Sequence, residues 1–241
     1  MSKKNSKGQQ RADQGIQITQ DVAFFLSQAK TKASQIPVEA QSEAQGHYML
    51  SIATNDVTFG LGPAGTGKTF CATALAAEAL VNREVEKIYI TRPMISTEDI
   101  GFLPGELEDK FRPYFRPVYD VLEERLGKGF TDYLISTGKI EVAPLAFLRG
   151  RTLKNAFVIL DEAQNTTLEQ MEMFLTRMGE GVTVVVNGDG SQIDIQEASG
   201  LQHAYGLFAN TPGFGSVIFE NSDVRRSQLA QRVVEGYAQV A

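Results

Sequence analysis

Lys68 and Thr69 close the stretch Gly62-Pro63-Ala64-Gly65-Thr66-Gly67-Lys68-Thr69, which fits G-x-x-x-x-G-K-[ST]. Glycines at this spacing let the backbone turn sharply and approach an anion with no Cβ in the way. Successive amides of such a turn form an anion-binding nest. A helix starting directly after it adds the positive end of its dipole. This is chemistry for a nucleoside triphosphate. Lys68 reaches the β- and γ-phosphates, the Thr69 hydroxyl holds Mg²⁺, and Phe70 follows inside the same candidate nucleotide-binding element.

A second group of residues offers the matching acid–base chemistry. Asp161 and Glu162 follow Ala156-Phe157-Val158-Ile159-Leu160, an apolar run that reads as a central strand buried on both faces. A carboxylate at Asp161 holds Mg²⁺ through a water, so Thr69 and Asp161 are the expected metal ligands. Glu162, one residue on, can polarise an attacking water as general base. Gly188-Asp189-Gly190-Ser191-Gln192 fits G-D-x-x-Q, where Gln192 can face a γ-phosphate and orient water without adding charge. As bare spacing the same residues also make an ordinary turn. Gln45 and Tyr48 lie just before the loop; a glutamine can pair with the adenine edge and a tyrosine can stack on its face. Terminal phosphate transfer develops negative charge that a cation stabilises. Arg226 and Arg177 are the candidates, with Arg92 and Arg151 expected on or near the same rim.

The elements that must position these groups alternate along the chain. Val57–Leu61 reads as a strand before the loop and Phe70–Leu80 as an alanine-rich helix after it. Further strands are predicted at Lys87–Thr91, Ile140–Val142, Ala156–Leu160, Val182–Val186 and Ser216–Phe219. Helices are predicted at Asp21–Ser34, from Pro37 towards Ala53, over Glu106–Leu126 with breaks near Pro113 and Pro117, at Phe130–Ile135, after Asp161-Glu162, at Gly200–Phe208 and at Ser227–Val240. Thr97–Gly105 reads as a loop. The pattern is that of an α/β fold with a mainly parallel sheet flanked by helices. Such sheets bind ligands at the carboxyl ends of their strands, where the loop, Arg92, Asp161-Glu162 and Gly188-Asp189 all fall. The expected organisation is a disordered tail over residues 1–15 and one domain over 16–241, with N-terminal helices in 19–54 and a nucleotide-binding core in 55–241.

Of 241 residues, 42% are hydrophobic, enough for a globular core. No apolar run approaches membrane-spanning length and the N-terminus has no secretory h-region, so no membrane partner is expected. Cys71 is the only cysteine, which excludes an internal disulfide and suits a reducing cytoplasmic setting. His47 and His203 make no metal cluster. The net charge of −6 excludes a whole-molecule basic footprint for nucleic acid, leaving only a local channel or patch. Asp99–Arg116 and Arg149–Lys154 combine loops, aromatics and cations and are the stretches expected to meet a strand; Phe102, Phe111, Tyr114 and Phe115 there suit core or subunit contacts equally.

With these motifs in hand the chain resembles the PhoH family of P-loop ATPases, from about Gln45 to the C-terminus. The resemblance is carried by Phe59–Thr69, Asp99–Gly105, Arg149–Leu153, Asp161–Asn165, Phe174–Arg177 and Gly188–Asp194. It implies a RecA-like core related to superfamily-one helicase motors, using ATP and Mg²⁺ and acting on RNA or single-stranded nucleic acid. It also implies that Gln45 reads adenine, Gln164 couples nucleotide to substrate and Gln192 senses the γ-phosphate. Near its end this chain has Val224-Arg225-Arg226-Ser227 where the family usually has Val-Arg-His. A single motor core leaves one face of the nucleotide site to a neighbour, with Arg226 or Arg177 acting in trans. The implied assembly is a homo-oligomeric head-to-tail ring, of six subunits by resemblance. No length is expected to remain for a nuclease or RNA-binding domain. Two other readings compete: a small-molecule or nucleoside kinase, against which Glu162 argues, and an ATP-gated assembly protein without motor activity. A GTPase is disfavoured because no Asn-Lys-x-Asp guanine reader occurs.

Overall fold

A computed structural model describes residues 37–94 and 111–225. The expected helices at Asp21–Ser34 and Ser227–Val240, the loop Thr97–Gly105, the tail 1–15 and Arg226 lie outside the described residues. Six strands form one sheet: β1 Val57–Leu61, β2 Lys87–Arg92, β3 Ile140–Pro144, β4 Ala156–Leu160, β5 Val182–Gly188 and β6 Phe214–Ile218. Their order is β3-β2-β4-β5-β1-β6. Every pairing is parallel, so the sheet is wholly rather than mainly so. Parallel strands need crossover connections, and helices supply most of them.

The helices cover both faces. α1 (Glu43–Thr54), α2 (Lys68–Val81), α3 (Arg116–Leu126) and α4 (Lys128–Ser136) bury Tyr48, Ala72, Ala76, Leu122 and Phe130 against Ile88, Ile90, Phe157, Ile159 and Val185. On the other face α5 (Leu168–Leu175) and α6 (Gly200–Phe208) bury Met171, Phe174, Leu201 and Ala204 against Phe59, Val158, Leu160, Val184 and Val186. Successive residues of β4 go to opposite faces, as the two-residue period of a strand requires, and all five are buried. The continuous apolar run is the sequence of a strand covered on both sides.

Three boundaries differ from expectation. The helix expected from Pro37 begins at Glu43, because the Ser42 hydroxyl accepts from the Gln45 amide at 3.2 Å and caps it. Pro113 and Pro117 start elements rather than interrupt one: the 3-10 turn Arg112–Phe115 and α3 each carry proline in their first turn, where its missing N–H costs nothing. The last strand runs Phe214–Ile218, and Phe219 leaves it with its amide donating to the Leu61 carbonyl at 2.7 Å.

Cys71 lies in α2, 1% exposed, and burial pushes its thiol up to about 11. The native protein at pH 8 is therefore expected to react with no thiol reagent over minutes, and to release its single thiol in guanidinium chloride. Rapid labelling of the native protein would show that α2 does not pack on the sheet as described.

Candidate phosphate-binding site

β1 ends at Leu61 and the chain turns into α2 through the glycine-rich loop. The Gly62 amide donates to the Gly188 carbonyl at 3.1 Å, tying the loop to the end of β5. Gly62 has φ +132°, and a Cβ there would stand 2.3 Å from the Phe219 carbonyl oxygen. Gly67 has φ +86°, and a Cβ would stand 2.6 Å from Gln45 Nε2. Both positions therefore demand glycine by conformation and by space. Gly67 is also the N-cap of α2 and gives the helix no side-chain cap, so the first-turn amides are left to an anion.

Lys68 is buried and lies back along the loop. Its Nζ donates to the Gly62 carbonyl at 2.7 Å, the Pro63 carbonyl at 2.8 Å and Thr66 Oγ1 at 3.2 Å. It also stands 5.7 Å from the centre of the Phe219 ring. Burial lowers its pKa, while the carboxylates of Asp189, Asp161 and Glu162 act in the opposite direction. Phosphate oxygens would replace loop carbonyls as acceptors of the same ammonium with stronger, charge-assisted bonds.

The Thr69 hydroxyl donates to Asp161 Oδ1 at 3.0 Å and Oδ2 at 3.2 Å, although the two residues follow strands separated by β5. Burial, and then the neighbouring Glu162 carboxylate, raise the Asp161 pKa to about 6 against the Thr69 bond, Arg92 and Lys68. Glu162 holds a left-handed backbone, φ 54°, uncommon for a residue with a side chain and a form of strain that gathers at functional sites. Its Oε2 accepts from Gln164 Nε2 at 2.7 Å, and Gln164 Oε1 accepts from the Asp189 amide at 3.1 Å. Lys68, Thr69, Asp161, Glu162, Asp189 and Gln192 line one cavity of about 230 Å³, with Ala64, Gly65, Gly67 and Phe70 on its loop side.

The donor set fits Mg²⁺. A hydroxyl and a carboxylate converge, and the buried Oδ2 of Asp189, which lines the same cavity, has no hydrogen-bond partner among the described residues. Mg²⁺ commonly takes one or two carboxylates and leaves its other positions to phosphates and water. No cluster of three or more His, Cys, Asp or Glu side chains suited to a metal occurs among the described residues.

Other expected site residues stand elsewhere. Tyr48 is fully buried, its hydroxyl donating to Asn187 Oδ1 and its ring edge-on to Phe219 at 5.4 Å. It is a core residue and cannot stack on a base, which corrects the sequence reading. Gln45 is 5% exposed; its Nε2 donates to the Thr66 carbonyl at 2.9 Å and its Oε1 accepts from the Gln41 amide at 2.7 Å, so it fastens α1 to the loop. Gln164 stands behind the cavity as the bridge just described. Arg177 is not on this rim: its carbonyl accepts from the Leu153 amide ahead of β4, at the amino ends of the strands. Arg151 is also off the rim, its guanidinium donating to both carboxylate oxygens of Glu141 and lying 5.2 Å from the centre of the Tyr89 ring. Arg92 is on the rim but donates to the Tyr114 carbonyl at 2.9 Å. Phe111 and Phe115 are both buried in the core, and Phe111 also lines a groove beside β3. Residues 99–110 lie outside the described residues.

Sequence reasoning missed the segment after β6. Phe219 packs over Gly62, and the Arg225 amide donates to the Gly65 carbonyl at 2.9 Å while its guanidinium donates to the Gln41 carbonyl. No motif marks such backbone bonds.

The raised pKa of Asp161 means that its ionisation opposes folding of the nucleotide-free protein. The folded state keeps the proton that an unfolded carboxyl of pKa 3.8 gives up, so stability falls as pH rises from about 4 to about 6 and is level above. Asp161→Asn is expected to recover about 2–3 kcal/mol at pH 7 and to raise Tm by several degrees. The gain should vanish near pH 4. Thermal melts of both proteins across that window check it, and a pH-independent difference would refute the assignment.

The PhoH-like protein family matches residues 37–238. Protein PhoH of Escherichia coli K12 is 48% identical over 218 residues, which cover 88% of this chain and 62% of that protein. The PhoH-like protein of Synechocystis is 48% identical over 212 residues, covering 87% of this chain and 64% of that one. The chain thus spans 62 to 64% of the length of these curated relatives. Among solved structures, the large terminase of a thermophilic bacteriophage aligns with a TM-score of 0.51 over 80% of this chain and 49% of its own, at 13% identity, a likeness of fold. The loop, the parallel sheet and the match across most of its length place this chain in the PhoH-like family, on a P-loop NTPase fold.

Proposed function

We propose that this protein hydrolyses ATP with Mg²⁺ and couples the hydrolysis to single-stranded nucleic acid, RNA foremost. The observation that carries the reading is the bond between the Thr69 hydroxyl and the Asp161 carboxylate, with Glu162 and Lys68 lining the same cavity. The loop amides and the start of α2 hold the triphosphate, and Lys68 leaves its loop carbonyls for the β- and γ-phosphates. Thr69, and Asp161 through a water, would hold Mg²⁺, which would supply positive charge to the phosphates. Glu162 takes a proton from water as the water oxygen bonds to the γ-phosphorus. The bond to the bridging oxygen breaks and leaves ADP and phosphate. Gln192 orients the water. Gln45, beside the loop and with one N–H and one lone pair of its amide unused among the described residues, is the adenine reader.

The described residues put one cation, Lys68, within the cavity. The completing arginine belongs to a neighbouring subunit of a head-to-tail ring, six-membered by family resemblance, and is Arg226 or Arg177. Arg177, at the amino ends of the strands, faces away from its own cavity, as an arginine serving a neighbour must. Strand binding belongs to the groove of about 560 Å³ beside the edge strand β3. Phe147 is 46% exposed there with its ring 6.0 Å from Phe111, Arg112 lies 4.8 Å from the centre of the Tyr119 ring, and Arg149 is exposed. One exposed aromatic beside a half-buried one, with arginines nearby, suits a stacked base and a phosphate backbone.

Steady-state ATP hydrolysis with and without single-stranded RNA is the test, with Lys68→Ala as the blank. Glu162→Gln is expected to lower kcat about 10²- to 10⁴-fold and to leave nucleotide affinity in place. Basal hydrolysis indifferent to RNA and DNA would keep the ATPase and remove the nucleic-acid half. Phe147→Ala is expected to raise the RNA concentration for half-maximal stimulation about tenfold, the cost of one lost base stack. An unchanged value would move the strand elsewhere.

A further inference from the structure

The chain from Asp189 to Ser199 has no helix or strand, yet it carries Gln192 into the cavity. Its ties to the rest of the fold run to three consecutive residues, Gln164, Asn165 and Thr166, which follow Glu162 almost directly. At its start, the Asp189 amide donates to Gln164 Oε1 at 3.1 Å. In its middle, the Asp194 amide donates to Asn165 Oδ1 at 2.8 Å, and Asn165 Nδ2 donates to Asp194 Oδ2 at 3.3 Å. At its end, the Ser199 hydroxyl donates to the Gln164 carbonyl at 2.8 Å and the Gly200 amide to the Thr166 carbonyl at 2.8 Å. Asn165 itself is tied back to the general base: its amide donates to the Glu162 carbonyl at 3.1 Å.

The two-point bond in the middle is the one nearest Gln192. Asn165 is 5% exposed and closes the 3-10 turn Ala163–Asn165, so its side chain is fixed by burial as well as by the turn. Asp194 is exposed, and between the bonds at Asp189 and Ser199 its grip on Asn165 is the segment's tie to that turn among the described residues. A buried amide that donates and accepts at once fixes both distance and orientation of the residue it grips.

We infer that Asn165 and Asp194 form a clasp that holds the Gln192 segment in register with Glu162, so that the water-orienting amide and the general base move as one body. They are positioning residues for the hydrolysis proposed above, on which this inference rests. Neither lines the cavity. Their loss misplaces Gln192 relative to Glu162 without touching the phosphate-binding loop, which predicts a fall in kcat at preserved nucleotide affinity.

Asn165→Asp sets two carboxylates against each other at the clasp and is expected to lower kcat about 10²-fold, the cost of a misplaced catalytic group. The affinity for a fluorescent ATP analogue should stay near wild type, while the Tm should fall and return once Asp194→Asn is added. Adding Asp194→Asn restores a donor facing an acceptor, and the double variant is expected to recover most of the lost kcat. Wild-type kcat in Asn165→Asp, or a loss that Asp194→Asn does not repair, would overturn the clasp. Hydrogen exchange of the amides from Asp189 to Asp194 provides a readout independent of turnover. Protection should fall in Asn165→Asp and return in the double variant. A wild-type protein that hydrolyses no ATP defeats the ATPase reading alone. The clasp then stands or falls on exchange: unchanged protection in Asn165→Asp, or protection not regained in the double variant, rejects it.

Discussion

The contact between Thr69 and Asp161 is the constraint on which the site depends. One residue begins a helix after β1 and the other ends β4, and β5 lies between those strands. They meet only because the three strands run parallel and end within two residues of one another, so that each hands its next residues to the same rim. A register shift of one residue in β4 would turn Phe157 and Ile159 out of one core and into the other, and would carry Asp161 away from the loop. The apolar alternation within β4 therefore fixes the placement of a carboxylate that is not itself part of any core.

That placement works against stability. Asp161 is held where its charge is disfavoured, beside a second carboxylate and above the ends of buried strands. Glu162 adds a left-handed backbone, and Asp189 a buried oxygen with no partner. Surrounding bonds offset these costs. Gln45 and the Phe219–Arg225 segment grip the loop from outside at Thr66, Leu61 and Gly65, and Gln164 braces Glu162 against β5. The residues that define the chemistry are the least comfortable, and those that do none of it hold them in place, as expected where function is retained at the expense of local stability.

Much of this was legible in the sequence for physical reasons. The glycine pattern, the apolar run before Asp161 and the alternation of elements each have one economical structural solution, and the strands at Val57–Leu61 and Ala156–Leu160 stand where their residues predict. What was not legible depends on tertiary neighbours. Tyr48 read as a base-stacking residue because its type and position allow it; its burial against Asn187 and Phe219 is set by residues far along the chain. Arg177 is a candidate cation by charge and resemblance and Arg151 by charge and expected nearness to the rim, and only the course of the chain after α5 and the proximity of Glu141 reveal where they lie. The strap after β6 acts through backbone amides, which have no sequence signature, and the Asn165–Asp194 pair spans 29 positions with no motif to join them.

The electrostatics of the cavity bear on how the site is completed. Asp161, Glu162 and Asp189 line it against a single lysine. Arg92 on the rim is committed to the Tyr114 carbonyl, and Arg225 is committed to Gln41. A triphosphate brings further negative charge, and the metal offsets only part of it. The carboxylates suit polarising water and holding a metal, but they oppose the charge that develops on the departing phosphoryl group. Among the described residues Lys68 is the one cation lining the cavity to meet that charge. The proposed cation from a neighbouring subunit would add to it only when the subunits are correctly engaged, and would then make hydrolysis conditional on assembly as well as on nucleotide.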